Sequence, residues 1–304
     1  WALAEILARA GVPAGVFNLV MGRGSVVGQA IVDSVDAVSF TGSVPTGTAL
    51  VQSGARRMIR VQAEMGGKNP LIAFPDMDPD VIAAAAVRGM NFTWQGQSCG
   101  STSRLLLHED IHDAVLSRVV ERVAALKIGD PADPDTDMGP VNSRMQHDKV
   151  LSFFQTARGD GSRLMIGGKR PSGTRFERGF WVEPTVYADM KPGMRLWQEE
   201  VFGPILSVGR WRTVDEAVAL ANDSQYGLGG AVFSTDLDEA KRVADQLEVG
   251  MANVNLASAA GANLPFGGVK RSGFGRELGD VELLECGQRE RPVLLRPDLR
   301  QRAP

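Results

Sequence analysis

Apolar positions along this chain follow two alternating rhythms, one of helical spacing and one of short continuous runs. Leu3, Ile6, Leu7 and Ala10 recur at helical spacing in "WALAEILARAG", and Gly11 with Pro13 behind it stops that helix. The pattern then predicts a strand over 15–22 ("GVFNLVMG"), a short helix over 25–34 and a strand over 36–43. A helix over 46–57 and a strand over 59–65 complete this stretch. Such alternation with short apolar strands implies an α/β fold, a parallel sheet covered by helices. Three strands are few for such a sheet, so further strands are expected upstream of Trp1.

The alternation resumes with the strand "LIAF" (71–74) and a helix over 78–90, which Asp78 can cap and Pro79 can open. "RLLLHE" (104–109) reads as a strand. The next helix carries Ile111, Val115, Val119, Val123 and Leu126 on one stripe and ends near Gly129. Residues 129–148, rich in Asp and Pro, read as a surface connection. A second alternation follows, with helices at 213–224 and 236–250 and strands at 231–235 and 251–255. Glycines gather in "ANLPFGGVKRSGFGRELG" (262–279), and the basic, proline-broken end reads as an arm or tail.

Composition narrows the class. A length of 304 residues fits two domains, and 43% hydrophobic with 23% charged residues is ordinary for a soluble globular chain. The net charge of −3, with both signs interspersed, argues against nucleic acid or an anionic membrane as partner. No window approaches the roughly 18 consecutive apolar residues of a membrane span. Only two cysteines occur, Cys99 and Cys286, which excludes a disulfide framework and fits a reducing, cytoplasmic setting. His108, His112 and His147 do not cluster at ligand spacing, so no metal site is expected and the three read as plain surface or helix residues. Trp1 opens inside a helix, so the chain is expected to be the remainder of a longer one.

Four stretches can carry chemistry. Cys99 lies in "NFTWQGQSCGSTSR" (91–104) among small polar residues that make poor core. One reading is a small buried hydrophobe; the other is a thiol displayed at a turn, its pKa lowered from about 8.5 by backbone amides or a neighbouring base. Cys286 sits on an apolar-periodic helix end and reads as packing. "SFTGSVPTG" (39–47) can turn a strand into a helix and present amides and hydroxyls to a phosphate, without the usual G-x-G-x-x-G pattern. "QAEMGGKNP" (62–70) sets Glu64 at a strand end, either as a solvated acid or as a desolvated one tuned toward a general base. "QEEVFGP" (198–204) pairs Glu199 and Glu200 with Phe202, either simply exposed or gripping ribose hydroxyls beside a planar ring.

In order, "FTGS", "EMGGKNP", "GQSC", "EEVFGP" and "LPFGGVKRSGFGRELG" resemble the aldehyde dehydrogenase superfamily, from Trp1 to about Gly279. The resemblance implies the fold of that family: residues 1–66 as the C-terminal part of a Rossmann-like dinucleotide-binding domain, 67–261 as an α/β catalytic domain, and 262–304 as a return segment and oligomerisation arm. It implies Cys99 as the nucleophile that forms a thiohemiacetal with an aldehyde, hydride transfer to NAD or NADP, and hydrolysis of the resulting thioester with Glu64 as general base. Ser43 and Gly42 would contact the pyrophosphate, with Phe40, Thr41 and Met65 on the nicotinamide side. Glu200 would hold a ribose with Phe202 beside the nicotinamide, Phe266 would line the substrate pocket, and the Cys99 amide would give half of an oxyanion hole. Glu64 favours a carboxylic acid over an acyl-CoA product.

The family's "PWN" segment, whose Asn supplies the other oxyanion donor, and the "KP" segment after it, which holds the adenosine ribose and decides NAD against NADP, are expected upstream of Trp1. Without that second oxyanion donor, worth roughly 3–4 kcal/mol, this stretch alone is expected to be nearly inactive. Ala257 and Ala260 stand where several relatives carry aromatics, and Trp94 is expected to refill part of the substrate mouth; a quaternary-ammonium aldehyde would need an aromatic cage there. Pro292 removes a donor from the arm segment expected to pair across a homodimer or homotetramer interface. Two other readings compete: a non-catalytic scaffold or interaction protein with the same fold, and a cofactor-independent thioester or ester hydrolase.

Overall fold

The helical spacing at the start of the chain is realised as α1 (Ala2–Arg9), followed by α2 (Gly24–Ser34). Between them the strand expected over 15–22 does not form. Gly15 takes a left-handed φ of +92° and the Asn18 side chain donates to its carbonyl at 2.8 Å, which closes a turn where the apolar run had suggested a strand. A strand needs a ladder partner, and a local turn bond wins where none is alongside. The chain then runs through β1 (Ala37–Gly42), α3 (Val44–Arg57) and β2 (Arg60–Met65), with β1 and β2 adjacent in one sheet. Ser43 caps α3, accepting from the Thr46 amide at 3.4 Å, and Pro45 fits the first turn. Gln29 and Arg57 tie α2 and α3 together, the first donating to Ser53 Oγ at 3.1 Å and the second to the Val35 carbonyl at 3.0 Å.

This computed structural model describes residues 1–258 and 261–280. Ala260, Cys286, Pro292 and the basic tail lie outside the described residues. The chain divides into two units, one of Trp1–Ala63 and one beginning at Glu64.

The second unit is built on β3 (Pro70–Ala73), α4 (Pro79–Gly89), β4 (Arg104–His108), α5 (Glu109–Ala124), α6 (Arg144–Ala157), β5 (Arg163–Ile166), β6 (Thr185–Ala188), α7 (Arg195–Gln198), β7 (Ile205–Trp211), α8 (Val214–Asn222), β8 (Tyr226–Gly227), β9 (Gly229–Phe233), α9 (Leu237–Ala244) and β10 (Met251–Val254). Seven of these strands form one sheet in the order β10-β9-β3-β4-β7-β6-β5, every pair parallel except β5 with β6. Period-two alternation sends Leu71, Ala73, Leu105 and Leu107 to one face, where Ile82, Ala83, Val115 and Val119 of α4 and α5 cover them. Ile72 and Leu106 point to the other face, against Val150 and Phe153 of α6, Ala217 of α8 and Val243 of α9. Strands buried on both faces read as continuous apolar runs, as "LIAF" and "RLLLH" do.

Two expectations change. The connection expected over 129–148 ends early, because Ser143 caps α6 through the Gln146 amide at 3.2 Å. The sheet also gains β5, β6 and β7 from residues that carry no clear period in the sequence. His112 and His147 lie on helices but are buried; the His112 ring is bonded to Asp113 at 2.7 Å and to Arg210 at 3.0 Å.

Arg104, only 1% exposed, pins this sheet. Its guanidinium donates to the carbonyls of Lys68 at 2.8 Å, Leu220 at 2.9 Å and Ala221 at 2.7 Å, and lies 5.3 Å from the Trp197 ring centroid. Lysine cannot reproduce a planar fork aimed at three carbonyls, so Arg104→Lys leaves buried acceptors unpaired. It is expected to destabilise the chain by about 2–3 kcal/mol. A urea midpoint within error of the parent would contradict this.

Candidate active site

Strands β3, β4 and β7 are parallel neighbours, with Pro70 opposite Arg104 and Arg104 opposite Ser207. The segments that enter them, 64–69, 99–103 and 200–204, therefore emerge along one edge of the sheet, at the strands' N-terminal ends. Sequence separations of more than a hundred residues collapse there to bond lengths. The Gly67 amide donates to Glu200 Oε1 at 3.1 Å. A side chain at Gly66 would collide with the same carboxylate, so the paired glycines form its seat.

The turns are held in unusual backbone. Asn91 and Gln95 flank a single 3-10 turn (Phe92–Trp94) with φ of 56° and 55°, and Gly96 follows at 64°. A side chain on Gly96 would meet the Gly203 carbonyl, so the thiol loop and the Glu200 loop touch backbone to backbone. Phe202 also has φ of 55°, a sparsely populated region for a bulky residue. The Gln146 side chain offsets that strain by donating to the carbonyls of Val201 at 2.9 Å and Phe202 at 2.7 Å.

Glu64 is 2% exposed and neither carboxylate oxygen has a hydrogen-bond partner. Burial, and then the Glu277 charge, push its pKa up to about 7; the Gly268 amide and Arg276 pull weakly the other way, the amide without reaching hydrogen-bond geometry. A carboxyl tuned to neutrality is fit to take a proton from water. Cys99 is half-buried and carries a free thiol. Here the expected lowering of its pKa is reversed. Burial raises it, the Glu200 and Glu64 charges add to that, and the Gly100 and Cys99 amides offset only part. Burial and the two carboxylates thus favour the thiol over the thiolate, and Glu64 is close enough to act on it.

The remaining candidates separate into groups. Met65 is buried, its amide donating to the Ser272 carbonyl at 3.0 Å. Glu200 has its pKa raised by burial and lowered by the Gly67 amide, Lys149 and Lys68. Phe266 is half-buried and exchanges two backbone bonds of 2.7 Å with Glu277. Trp94, 63% exposed, lines a separate open cavity of about 550 Å³ between α4 and α5. Ala257 is buried against Gly89 and the α4 side of the sheet. In the first unit, Phe40 is half-buried at the end of β1 with its ring beside Gly42, while Thr41, Gly42 and Ser43 are exposed at the entrance to α3. Among the described residues no group of three His, Cys, Asp or Glu could hold a metal, and no helix is long and apolar enough to cross a membrane.

Two residues at the site escaped the sequence reading. Lys68 is 1% exposed with an unpartnered Nζ; burial, reinforced by Arg104, lowers its pKa to about 7 against the pull of Glu200. Asn69 is 2% exposed and fully bonded. Both stand between a glycine pair and a continuous apolar strand, where a polar residue is enclosed by what flanks it; that was the available signal.

The family model described as "Aldehyde dehydrogenase family" matches residues 1–290. The chain is 43% identical over 278 residues to a chloroplastic betaine aldehyde dehydrogenase of Atriplex hortensis, covering 91% of this chain and 55% of that protein. It is 42% identical over 280 residues to the peroxisomal aminoaldehyde dehydrogenase 2 of Pisum sativum, with coverages of 91% and 55%. The crystal structure of betaine aldehyde dehydrogenase from Staphylococcus aureus in complex with NAD+ superposes with a TM-score of 0.91 at 40% identity, covering 93% of this chain and 57% of that one. The chain thus spans about half the length of the curated relatives it matches.

Proposed function

This chain belongs to the aldehyde dehydrogenase family, and from that premise we propose that it oxidises an aldehyde to the carboxylic acid with NAD as hydride acceptor. The observation that carries the reading is the meeting of three groups on one sheet edge: the Cys99 thiol, the buried and unpartnered Glu64 carboxylate, and the seated Glu200 carboxylate.

Each unit, taken by itself, offers groups suited to part of a nucleotide. Glu200, seated on the Gly66–Gly67 turn, offers acceptor oxygens to a ribose, and Phe202, two residues further along Glu200's own segment, offers a flat apolar wall. In the first unit, Ser43 caps a 14-residue helix, and the exposed Thr41, Gly42 and Ser43 at its entrance suit a phosphate. NAD, when bound, supplies the acceptor for the hydride. The neighbouring structures name NAD+, which favours it over NADP. The protein's own part is as follows. The Cys99 thiol passes its proton through Glu64 to solvent, Sγ adds to the aldehyde carbonyl, and the Cys99 amide would donate to the oxygen that becomes negative. Loss of hydride leaves a thioester on Cys99. Glu64 takes a proton from water as the oxygen attacks, and collapse returns the thiolate and releases the acid.

The relatives named for betaine aldehyde and aminoaldehydes support an aldehyde bearing an amino or ammonium group as the substrate class, and Trp94, in its separate cavity, takes no part in this reading. We assign a homo-oligomeric state on the resemblance of its C-terminal segment. The cytoplasmic placement rests on the two cysteines alone, and the relatives named chloroplastic and peroxisomal show that the family also serves organelles.

Single-turnover mass spectrometry, which registers one slow acylation event even where steady turnover is nearly nil, tests this. Betaine aldehyde with NAD should leave an acyl group on Cys99 in an acid-quenched sample, and omission of NAD should leave none. Acylation by an ester together with no NAD-dependent adduct would favour the cofactor-free hydrolase instead.

A further inference from the structure

Among the groups around the thiol, Asn69 has no part in the chemistry just described, yet every polar atom of its side chain is engaged. Nδ2 donates to the Cys99 carbonyl at 2.8 Å and to the Ser101 carbonyl at 3.0 Å, while Oδ1 accepts from the Gly229 amide at 3.0 Å. The side chain thus joins the entrance of β3 to the thiol loop and to the first residue of β9. It is 2% exposed, so water cannot take over these bonds.

The Cys99 carbonyl is hemmed in from a second direction. A side chain on Gly67 would come within 2.9 Å of it and within 2.6 Å of Asn69 Oδ1, so only glycine lets the two loops close on each other. The bond to this carbonyl matters because of what shares its peptide plane. The Cys99 carbonyl and the Gly100 amide are two ends of one rigid planar unit. Holding the oxygen fixes the direction in which the Gly100 N–H points, and donation to the oxygen polarises that N–H.

We infer that Asn69 is a positioning residue for the nucleophile: by holding the Cys99–Gly100 peptide it aims the Gly100 amide at the Cys99 sulfur and so favours the thiolate. This rests on the reading of Cys99 as nucleophile. The electrostatics agree, since the Gly100 and Cys99 amides are the groups that offset the upward pull of burial and of the two carboxylates on the thiol. A purely structural clamp would act differently. Its loss would loosen the loop, expose the sulfur and move its ionisation toward that of a free cysteine, at about 8.5.

The two roles therefore predict opposite changes. The rate of iodoacetamide modification of Cys99 is measured from pH 6 to about 11.5 by peptide-resolved mass spectrometry on the 304-residue chain, with Cys286 as internal reference. Asn69→Ala is expected to move the inflection for Cys99 upward by about one unit and to slow modification at neutral pH roughly tenfold. Asn69→Ser, which keeps one donor, is expected to recover part of that shift. Measurement below the thermal transition of each variant confines the readout to folded protein. An inflection that stays in place or moves down, with modification unchanged or faster, overturns the inference; should Asn69→Ala not fold, Asn69→Ser decides by the same criterion. Failure of the underlying reading shows separately, as absence of the NAD-dependent acyl group on Cys99 in the unmodified sequence.

Discussion

Cys99→Ala is expected to abolish aldehyde oxidation, lowering turnover by at least about 10⁴-fold. In the proposed mechanism the covalent route runs through this sulfur alone. The flanking hydroxyls are no substitute: Ser101 is buried, and its Oγ already accepts from Asn91 Nδ2 at 3.3 Å. A serine hydroxyl also needs an adjacent base held in hydrogen-bond reach, and Glu64 has no hydroxyl partner. Alanine fills less space than cysteine and removes no hydrogen bond that holds the loop, since Asn69 binds the backbone carbonyl. NAD affinity, followed by fluorescence, should therefore remain within about twofold while NADH formation disappears. Residual turnover above about 1% of the parent would exclude Cys99 as the nucleophile.

Glu64→Gln should give a different signature. Release of the acid is expected to slow by roughly 10²–10⁴-fold, the ordinary yield of a positioned base, while the first hydride transfer is slowed less. The thioester then accumulates, visible as a burst of NADH followed by a slow steady rate. In the parent, deacylation should rise with an inflection near pH 7, because the base must be ionised and its pKa stands at about 7. The glutamine variant should lose that inflection.

The same substitution carries a stability effect of defined sign. The folded-state pKa of about 7 lies above the ordinary 4.5, so the fold binds a proton that the unfolded chain releases between these values. The contribution of Glu64 is then fully present below pH 4.5 and is lost as pH rises through about 7. Above that, Glu64→Gln should be the more stable form, by up to roughly 3 kcal/mol. A parent midpoint in urea that equals or exceeds the variant's at pH 8 would show that the carboxylate is not buried as described.

Much of this site was legible as sequence because its motifs are local. "EMGG", "GQSC" and "EEVFGP" each place a reactive residue beside glycine or other small residues at the mouth of a strand, and that is where Glu64, Cys99 and Glu200 stand. The α/β class was legible for a similar reason: "LIAF" and "RLLLH" are too apolar to face water on either side. What could not be read is which strands are neighbours. That β4 lies between β3 and β7 is set by packing across the whole sheet, and β5, β6 and β7 came from stretches without a period. The direction of the Cys99 shift was missed because it depends on two carboxylates brought in from other strands. Residues 15–22 misled in the opposite way, since apolar content imitates a strand until Gly15 and Asn18 close a turn.

The enclosed lysine beside the glycine seat adds one more consequence. Its folded-state pKa of about 7 lies below the ordinary 10.5, so its contribution is whole above 10.5 and dwindles as the solution becomes neutral. The glutamic acid dwindles toward the same point from the acid side. The two slopes meet in a valley at neutrality, so for these two side chains a mildly sour or mildly alkaline buffer is the gentler place to keep the protein, and neutral water is the harsher one.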